Sequence, residues 1–302
     1  MRTPIQNRYD FVFLYDCADG NPNGDPDAAN APRLDPQTMQ GLVSDVCIKR
    51  KIRNFVQLHK KGQSGFDLHV QHGTVLNDNI RLACGKTDVK VREDEKQDKE
   101  KAKNRPPEEI KKLQDWLSDT FYDIRTFGSV LSTGPNAGQL KGPVQIGFSR
   151  SVDPVVSIDA SITRVCGTDE LKNTEMGRKA LILYGLYRCH GFVSANLAEQ
   201  TKFDETDLQL LFKALCGRGT TKEDFGPSMF DDDVSAARNM SARKLVVFKH
   251  ESRLGNAPAH LLFDRVTVKR KEGVKVTRTI GDYDVNVNED GKPTNVEIIT
   301  LL

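Results

Sequence analysis

Between Asp45 and Asp67 the 302-residue chain carries six Lys or Arg and no acid, with Lys49, Arg50 and Arg53 close together. Cations without interleaved carboxylates suit phosphates. Each neutralised phosphate releases counterions, and such contacts position a nucleic-acid backbone without reading its bases. An ordinary solvated helix face has the same residue types, so both readings stay open. Arg150 and Arg164, close to either end of an exposed strand candidate, are weaker candidates for phosphate contact.

A second group is acidic. Asp16, Asp19, Asp25 and Asp27 stand at and after the end of an apolar segment, where carboxylates can hold a divalent cation and activate water or an RNA 2′-hydroxyl. Their setting, Gly20-Asn21-Pro22-Asn23-Gly24-Asp25-Pro26-Asp27, is one in which Asp bonds its own backbone, and turn chemistry is the stronger reading. His69 and His72, with Cys84 twelve positions on, lack a fourth zinc ligand at a suitable spacing and read as polar histidines. Cys189-His190 fall on a strand candidate that sends them to opposite faces, so they do not form a nucleophile pair. Neither G-x-x-x-x-G-K-[ST] nor G-x-S-x-G occurs, which removes a phosphate loop and a nucleophile elbow. No catalytic residue, resident metal or cofactor is expected.

These residues need elements to hold them. Tyr9 to Cys17 is dense in aromatic and β-branched residues and predicts a strand covered on both faces. Asp35-Pro36 predicts a helix start, with Asp as cap and Pro at the first position, running to about His59. Its periodicity puts Ile48, Ile52, Phe55 and Val56 on one side and Lys49, Arg50, Arg53 and Lys60 on the other. From Lys86 to Lys112, 18 of 27 residues are charged, a solvated insertion. Helical spacing resumes at Pro107, and Gly142 to Phe148 predicts a strand. Val156, Ile158, Ala160 and Ile162 alternate with polar residues as a half-exposed strand, and Ala180 to Val193 reads as a buried one. Asp204 caps a helix bearing Leu208, Leu211, Phe212 and Leu215 and stopped by Gly217. Ala242 to His250 is a strand. Val266–Val268 and Val274–Val276, either side of Glu272-Gly273, predict a hairpin. The order is βαββαβ, an α+β ferredoxin-like or RRM-like core with insertions.

Composition bounds the class. Forty-four Lys and Arg against 42 acids give +2, so any nucleic-acid site is a local patch. Six cysteines without a C-x-x-C pair suit reduced thiols in a cytoplasmic protein. The apolar stretch Ala180–Tyr187 is far short of the roughly 20 residues a spanning helix needs, and no membrane partner is expected.

Six segments in order resemble one family, the crRNA-binding backbone subunits of CRISPR-associated Cascade complexes in the RAMP superfamily, most closely its type I-C branch. They are Asn21–Pro26, Gly41–Arg53, Asp123–Gly128, Gly142–Gln145, Tyr184–Phe192 and His260–Phe263. The resemblance implies an RRM-like palm (1–61 with 179–302), a finger-type insertion (62–148) and a thumb-type hairpin (149–178). It implies copies stacked head to tail in a helical filament along a CRISPR RNA, with other Cascade subunits, displaying the guide for target DNA. The resemblance carries RNA contacts onto Lys49, Arg50 and Arg53, and also onto Asn23, Gln145 and Arg150. Type III relatives cut RNA with a loop Asp, which keeps a metal-dependent endonuclease using Asp16, Asp25 or Asp27 as the alternative. The glycine-rich C-terminal loop of many RAMP proteins is not clear, since Leu254–Pro258 has one Gly, and RNP-type aromatic motifs are absent.

Overall fold

Strand β1 (Tyr9–Gly20) is buried continuously from Tyr9 to Cys17, as its two-sided apolar composition requires. Phe11, Phe13 and Tyr15 project into one core and Val12 and Leu14 into another. Fully burying such a side chain contributes about 1.5–3 kcal/mol. The computed structural model describes residues 2–91, 105–164, 175–219, 225–231 and 238–302. The centre of the charged insertion (92–104) and the segment 165–174 lie outside the described residues.

After β1 come β2 (Gly24–Asp25), β3 (Ala31–Pro32), β4 (Gln40–Val43) and α1 (Asp45–His59). Next are α2 (Leu76–Lys86), α3 (Pro107–Thr120), α4 (Tyr122–Phe127) and the hairpin β5 (Gly128–Leu131) and β6 (Gly138–Lys141). Strands β7 (Val144–Ile146), β8 (Ser149–Pro154), β9 (Ser157–Arg164) and β10 (Glu175–Val193) precede α5 (Ala195–Thr201) and α6 (Glu205–Cys216). The chain closes with β11 (Met240–His250), α7 (Ala259–Phe263), β12 (Val266–Arg270), β13 (Tyr283–Val287) and β14 (Val296–Thr300).

The architecture is mixed α+β around a central antiparallel sheet in the order β14-β11-β1-β10-β8-β4, with β7 and β9 also paired to β10. α1 and α6 cover one face through Ile48, Ile52, Phe55, Leu208, Leu211 and Phe212. Asp204 caps α6 and Gly217 ends it at φ 74°, as the sequence predicts. The other face is covered by Leu262, Phe263, Val266 and Tyr283. Between α1 and β7 the chain builds a separate core from Ile80, Ala83, Leu113, Leu117, Phe121, Ile124 and Leu140.

Three expectations need correction. The helix starts at Asp45, not at Asp35-Pro36. Asp35 Oδ1 instead accepts the N–H groups of Gln37 and Thr38 in a turn, and Met39 at φ 56° cannot continue a helix. Residues 40–43 pair with β8, and Ser44 supplies the cap by accepting Cys47 N–H. In the C-terminal hairpin, β12 pairs with β13, not with Val274–Val276. Tyr283 wins because it buries its ring and donates its hydroxyl to Asp153 at 2.7 Å, whereas Val276 is 63% exposed. In β9, Ile158 and Ile162 are 39% and 50% exposed, because among the described residues the strand pairs with the first half of β10 alone and no core cluster takes up its side chains.

β10 ties the C-terminal layer down. Arg188 donates to the carbonyls of Phe263 and Val266 at 2.6 and 2.7 Å, and its Nε donates to His190 Nε2 at 2.9 Å. Burial and Arg188 push His190 down to about 4. Between that value and the ordinary 6.5 the folded protein stays neutral while the unfolded chain takes up a proton. The stability this residue contributes is therefore complete above pH 6.5 and is lost as pH falls toward 4. The urea-midpoint advantage of the wild type over His190→Gln is expected to narrow between pH 7 and about 4.5. A constant gap would refute it.

Candidate nucleic-acid interface

The cationic helix is positioned from its N-terminus. Asn23 Oδ1 accepts from both Ser44 N–H and Ser44 Oγ at 2.9 Å, locking the cap residue of α1. Asp45 sits in the first turn, where a negative charge complements the helix dipole. Lys49 Nζ lies 2.9 Å from Asp45 Oδ2. Asn23 thus has a positioning role visible in the structure, with its side-chain oxygen already engaged.

One turn further, Arg53 Nε meets Asp123 Oδ2 at 2.7 Å. Asp123 is 1% exposed and also accepts the N–H groups of His69 and Val70 at 2.8 and 3.0 Å, so its charge is well solvated by the protein. The Phe127 ring lies under both cations, 5.7 Å from Lys49 Nζ and 5.3 Å from the Arg53 guanidinium. Asp45 serves Lys49 from within the helix, whereas Arg53 receives its acid from 70 residues away. Arg50 is exposed and, among the described residues, has no acidic partner.

Gln145 is exposed on β7, and its Nε2 donates to Gly142 O at 2.9 Å. Arg150 is likewise exposed, but its Nη1 lies 2.6 Å from Asp35 Oδ2 and holds that carboxyl down to about 2. Arg164 ends β9, and its side chain lies outside the described residues. Cys189 faces the α1 and α6 core while His190 stacks on Phe263 at 4.3 Å, on the other face of the sheet.

Asp16 and Asp25, two of the four candidate aspartates, are otherwise employed. Asp16 is 2% exposed, pairs with Arg243 Nε at 2.8 Å and accepts the Tyr184 hydroxyl at 3.0 Å. Asp25 pairs with Arg33 at 3.1 Å and accepts Asp27 N–H. His69 is buried beside Asn79, and burial lowers its pKa; Cys84 belongs to the separate α2–α3 core. Among the described residues no group of three or more His, Cys, Asp or Glu is placed to hold a metal.

Two cations that sequence reasoning passed over join the α1 surface. Arg33 and Arg238 act with Arg50 and Lys51 on the Cys47 thiol, whose pKa burial raises and these positive charges oppose. No local pattern flags Arg238, which is nearly 190 residues from α1 along the chain.

The six segments quoted from the sequence are joined in space. Asn23 bonds Ser44, and Arg53 bonds Asp123. Gly128 abuts Gly142, Gln145 pairs with Phe192 in register, and Arg188 bonds the Phe263 carbonyl. A family model described as CRISPR-associated protein Cas7 matches residues 7–288. A curated relative from Haloferax volcanii, also described as CRISPR-associated protein Cas7, is 31% identical over 247 residues, covering 73% of this chain and 67% of the relative. Two similar solved chains come from structures titled CRISPR RNA-guided surveillance complex. The first, in a pre-nicking state, has TM-score 0.48 at 13% identity, covering 80% of this chain and 78% of that one. The second has TM-score 0.44 at 14% identity, covering 80% and 68%. With the family pattern running through nearly all of the sheet and through every one of the joined segments, the chain belongs to the Cas7 family of CRISPR-associated proteins.

Proposed function

We propose that this chain is a non-catalytic, crRNA-binding backbone subunit of a type I-C Cascade complex in CRISPR defence. The observation that carries the reading is the family match across residues 7–288. Copies stack head to tail along the guide as a helical oligomer, together with other Cascade subunits, and leave its bases displayed for target DNA. The palm is 1–61 with 179–302, the fingers 62–148 and the thumb 149–178. The neighbours β11, β1 and β10, with α1 and α6 on one face, support a ferredoxin-like palm. Both sheet faces are covered, which favours contact with the RNA backbone over stacking of bases on the sheet. Lys49, Arg50, Arg53, Asn23, Gln145 and Arg150 are the proposed RNA contacts, with Arg50 the most available to a phosphate. The pairing of Asp16 and Asp25 with arginines gives the metal-dependent endonuclease reading no support.

The test is the ultraviolet spectrum and sedimentation of the protein purified after co-expression with a guide RNA. Short RNA is expected to co-purify on a particle much larger than the 33.7 kDa chain. A nucleic-acid-free monomer under the same co-expression overturns the reading. Among the described residues no helix is long and apolar enough to cross a membrane.

A further inference from the structure

β14 is one edge of the central sheet, and among the described residues it pairs with β11 alone. Its register fixes which backbone groups face outward. Asn295 O accepts Glu251 N–H and Leu301 N–H donates to Leu245 O, so the odd-numbered residues bond to β11 and the even-numbered ones point away. The N–H groups of Ile298 and Thr300 and the carbonyls of Val296, Ile298 and Thr300 therefore line a free edge, while the Val296 N–H turns back onto Pro293 O at 3.1 Å. The opposite edge of the sheet is closed. There Asp35 N–H donates to Gln40 O and Leu42 N–H to Arg33 O, both at 2.8 Å, so residues 33–35 cover β4, whose pairing with β8 is also irregular between Gln40 and Leu42.

β14 lacks the usual guards of an exposed edge. Val296–Thr300 contains no Pro, no Lys and no bulge, and its pairing with β11 runs without a register shift. Ile298 and Ile299 are half-buried, one packed on each of the two sheet cores, so each has apolar surface to offer a further strand. The one charge of the strand is Glu297, exposed and 3.7 Å from Lys249 Nζ, too far for a hydrogen bond. A second carboxylate lies nearby, since burial, then Glu205 of α6 and Glu297, push the Tyr9 hydroxyl up to about 12. The edge is thus apolar at two successive positions and negative at the one before them.

We infer that the outer edge of β14 docks an extended segment of a partner protein, which adds antiparallel to the sheet and carries two β-branched residues followed by Lys or Arg. The β-branched residues come opposite Ile299 and Ile298 and close over them, one on each face of the sheet. The cation comes opposite Glu297 in a non-hydrogen-bonded pair, where side chains approach most closely. Main-chain bonds hold the segment and these three positions select it. The inference does not rest on the RNA-binding reading, since the edge uses none of the proposed RNA contacts.

The test uses the full chain and a labelled synthetic peptide, acetyl-Gly-Thr-Ile-Val-Arg-Thr-Gly-amide, read by fluorescence anisotropy. Methylating the backbone nitrogen of the peptide's Val removes the N–H that reaches Ile298 O, and affinity is expected to fall about tenfold or more. Methylating that of its Ile, which points away from β14, should change affinity by less than about threefold. Thr300→Pro removes an outward N–H and leaves the bonds to β11 in place, so binding should weaken about threefold or more with little change in melting temperature. Glu297→Lys is expected to prefer, by about fivefold, the peptide with Glu in place of Arg. No binding by the wild type at millimolar peptide overturns the inference, as do equal effects of the two methylations or an unchanged charge preference in Glu297→Lys. A dimer of the chain that forms without peptide and that Thr300→Pro abolishes makes a second copy the occupant, which overturns it as well.

Discussion

Arg125→Met is expected to cost about 3 kcal/mol of folding stability, the low end of the range for breaking a buried ion pair, because Arg2 Nη1 still lies 3.2 Å from Asp207 Oδ2. Arg125 is fully buried on α4 and makes two bonds to Asp207 of α6, Nε to Oδ2 at 2.7 Å and Nη2 to Oδ1 at 2.9 Å. It also donates to the Ser118 carbonyl at 2.7 Å and to the Gly65 carbonyl at 2.8 Å. One guanidinium thus joins α6, the end of α3 and the loop after α1, which no apolar side chain of that size replaces. Burial already pushes the Asp207 carboxyl up against the pull of Arg125. Without the arginine the carboxyl rises further and takes up a proton, so the deficit should shrink on acidification. Urea midpoints at neutral and mildly acidic pH measure both effects. Arg125→Met/Asp207→Leu should recover part of the loss, because no buried charge is then left unpaired. A single variant as stable as the wild type would show that the pair does not hold the two parts together.

Gly128→Ala should be nearly as damaging, about 3 kcal/mol, and should also weaken RNA binding. Gly128 sits at φ 75° and ψ 177°, a conformation essentially reserved for glycine. An added Cβ would run into the Leu140 carbonyl and the Gly142 backbone nitrogen, neither of which can swing away. The strain falls on Phe127, whose ring lies beneath Lys49 and Arg53, and on the stretch leading to Gln145. Gly62→Ala is the informative comparison. Gly62 has φ 74° with nothing within 4 Å of an added Cβ, so it carries only the left-handed penalty of about 1–2 kcal/mol. Melting curves of the two variants separate backbone strain from the loss of close approach. Equal costs would mean that the contact of Gly128 with Gly142 is unimportant.

Much of the scaffold was legible because it is written locally. The two-sided burial of β1 follows from Phe11 to Leu14, and the buried side of α1 from the spacing of Ile48, Ile52, Phe55 and Val56. α6 announces both of its ends through Asp204 and Gly217. The helix start at Asp35-Pro36 misleads for a physical reason. A capping residue and a turn residue use the same carboxylate-to-N–H bond, and only the pairing of Gln40–Val43 with β8 decides between them. The partner of β12 was out of reach for a similar reason. Val274–Val276 and Tyr283–Val287 both have strand composition, and the choice depends on Tyr283 reaching Asp153, 130 residues earlier.

The candidate site divides along the same line. Residue order alone determines that Lys49, Arg50 and Arg53 share a helix face and that Asp45, one turn before Lys49, is the last acid before Asp67, since helical geometry needs only near neighbours. Which of those cations is available to a phosphate is decided by tertiary structure. Asp123 comes to Arg53 from 70 residues away, Asp35 to Arg150 from 115, and the Arg238 carbonyl to Cys17 at the end of β1 from 221. Coulomb energy depends on separation in space and on how much water lies between, and the chain acquires both only when it folds.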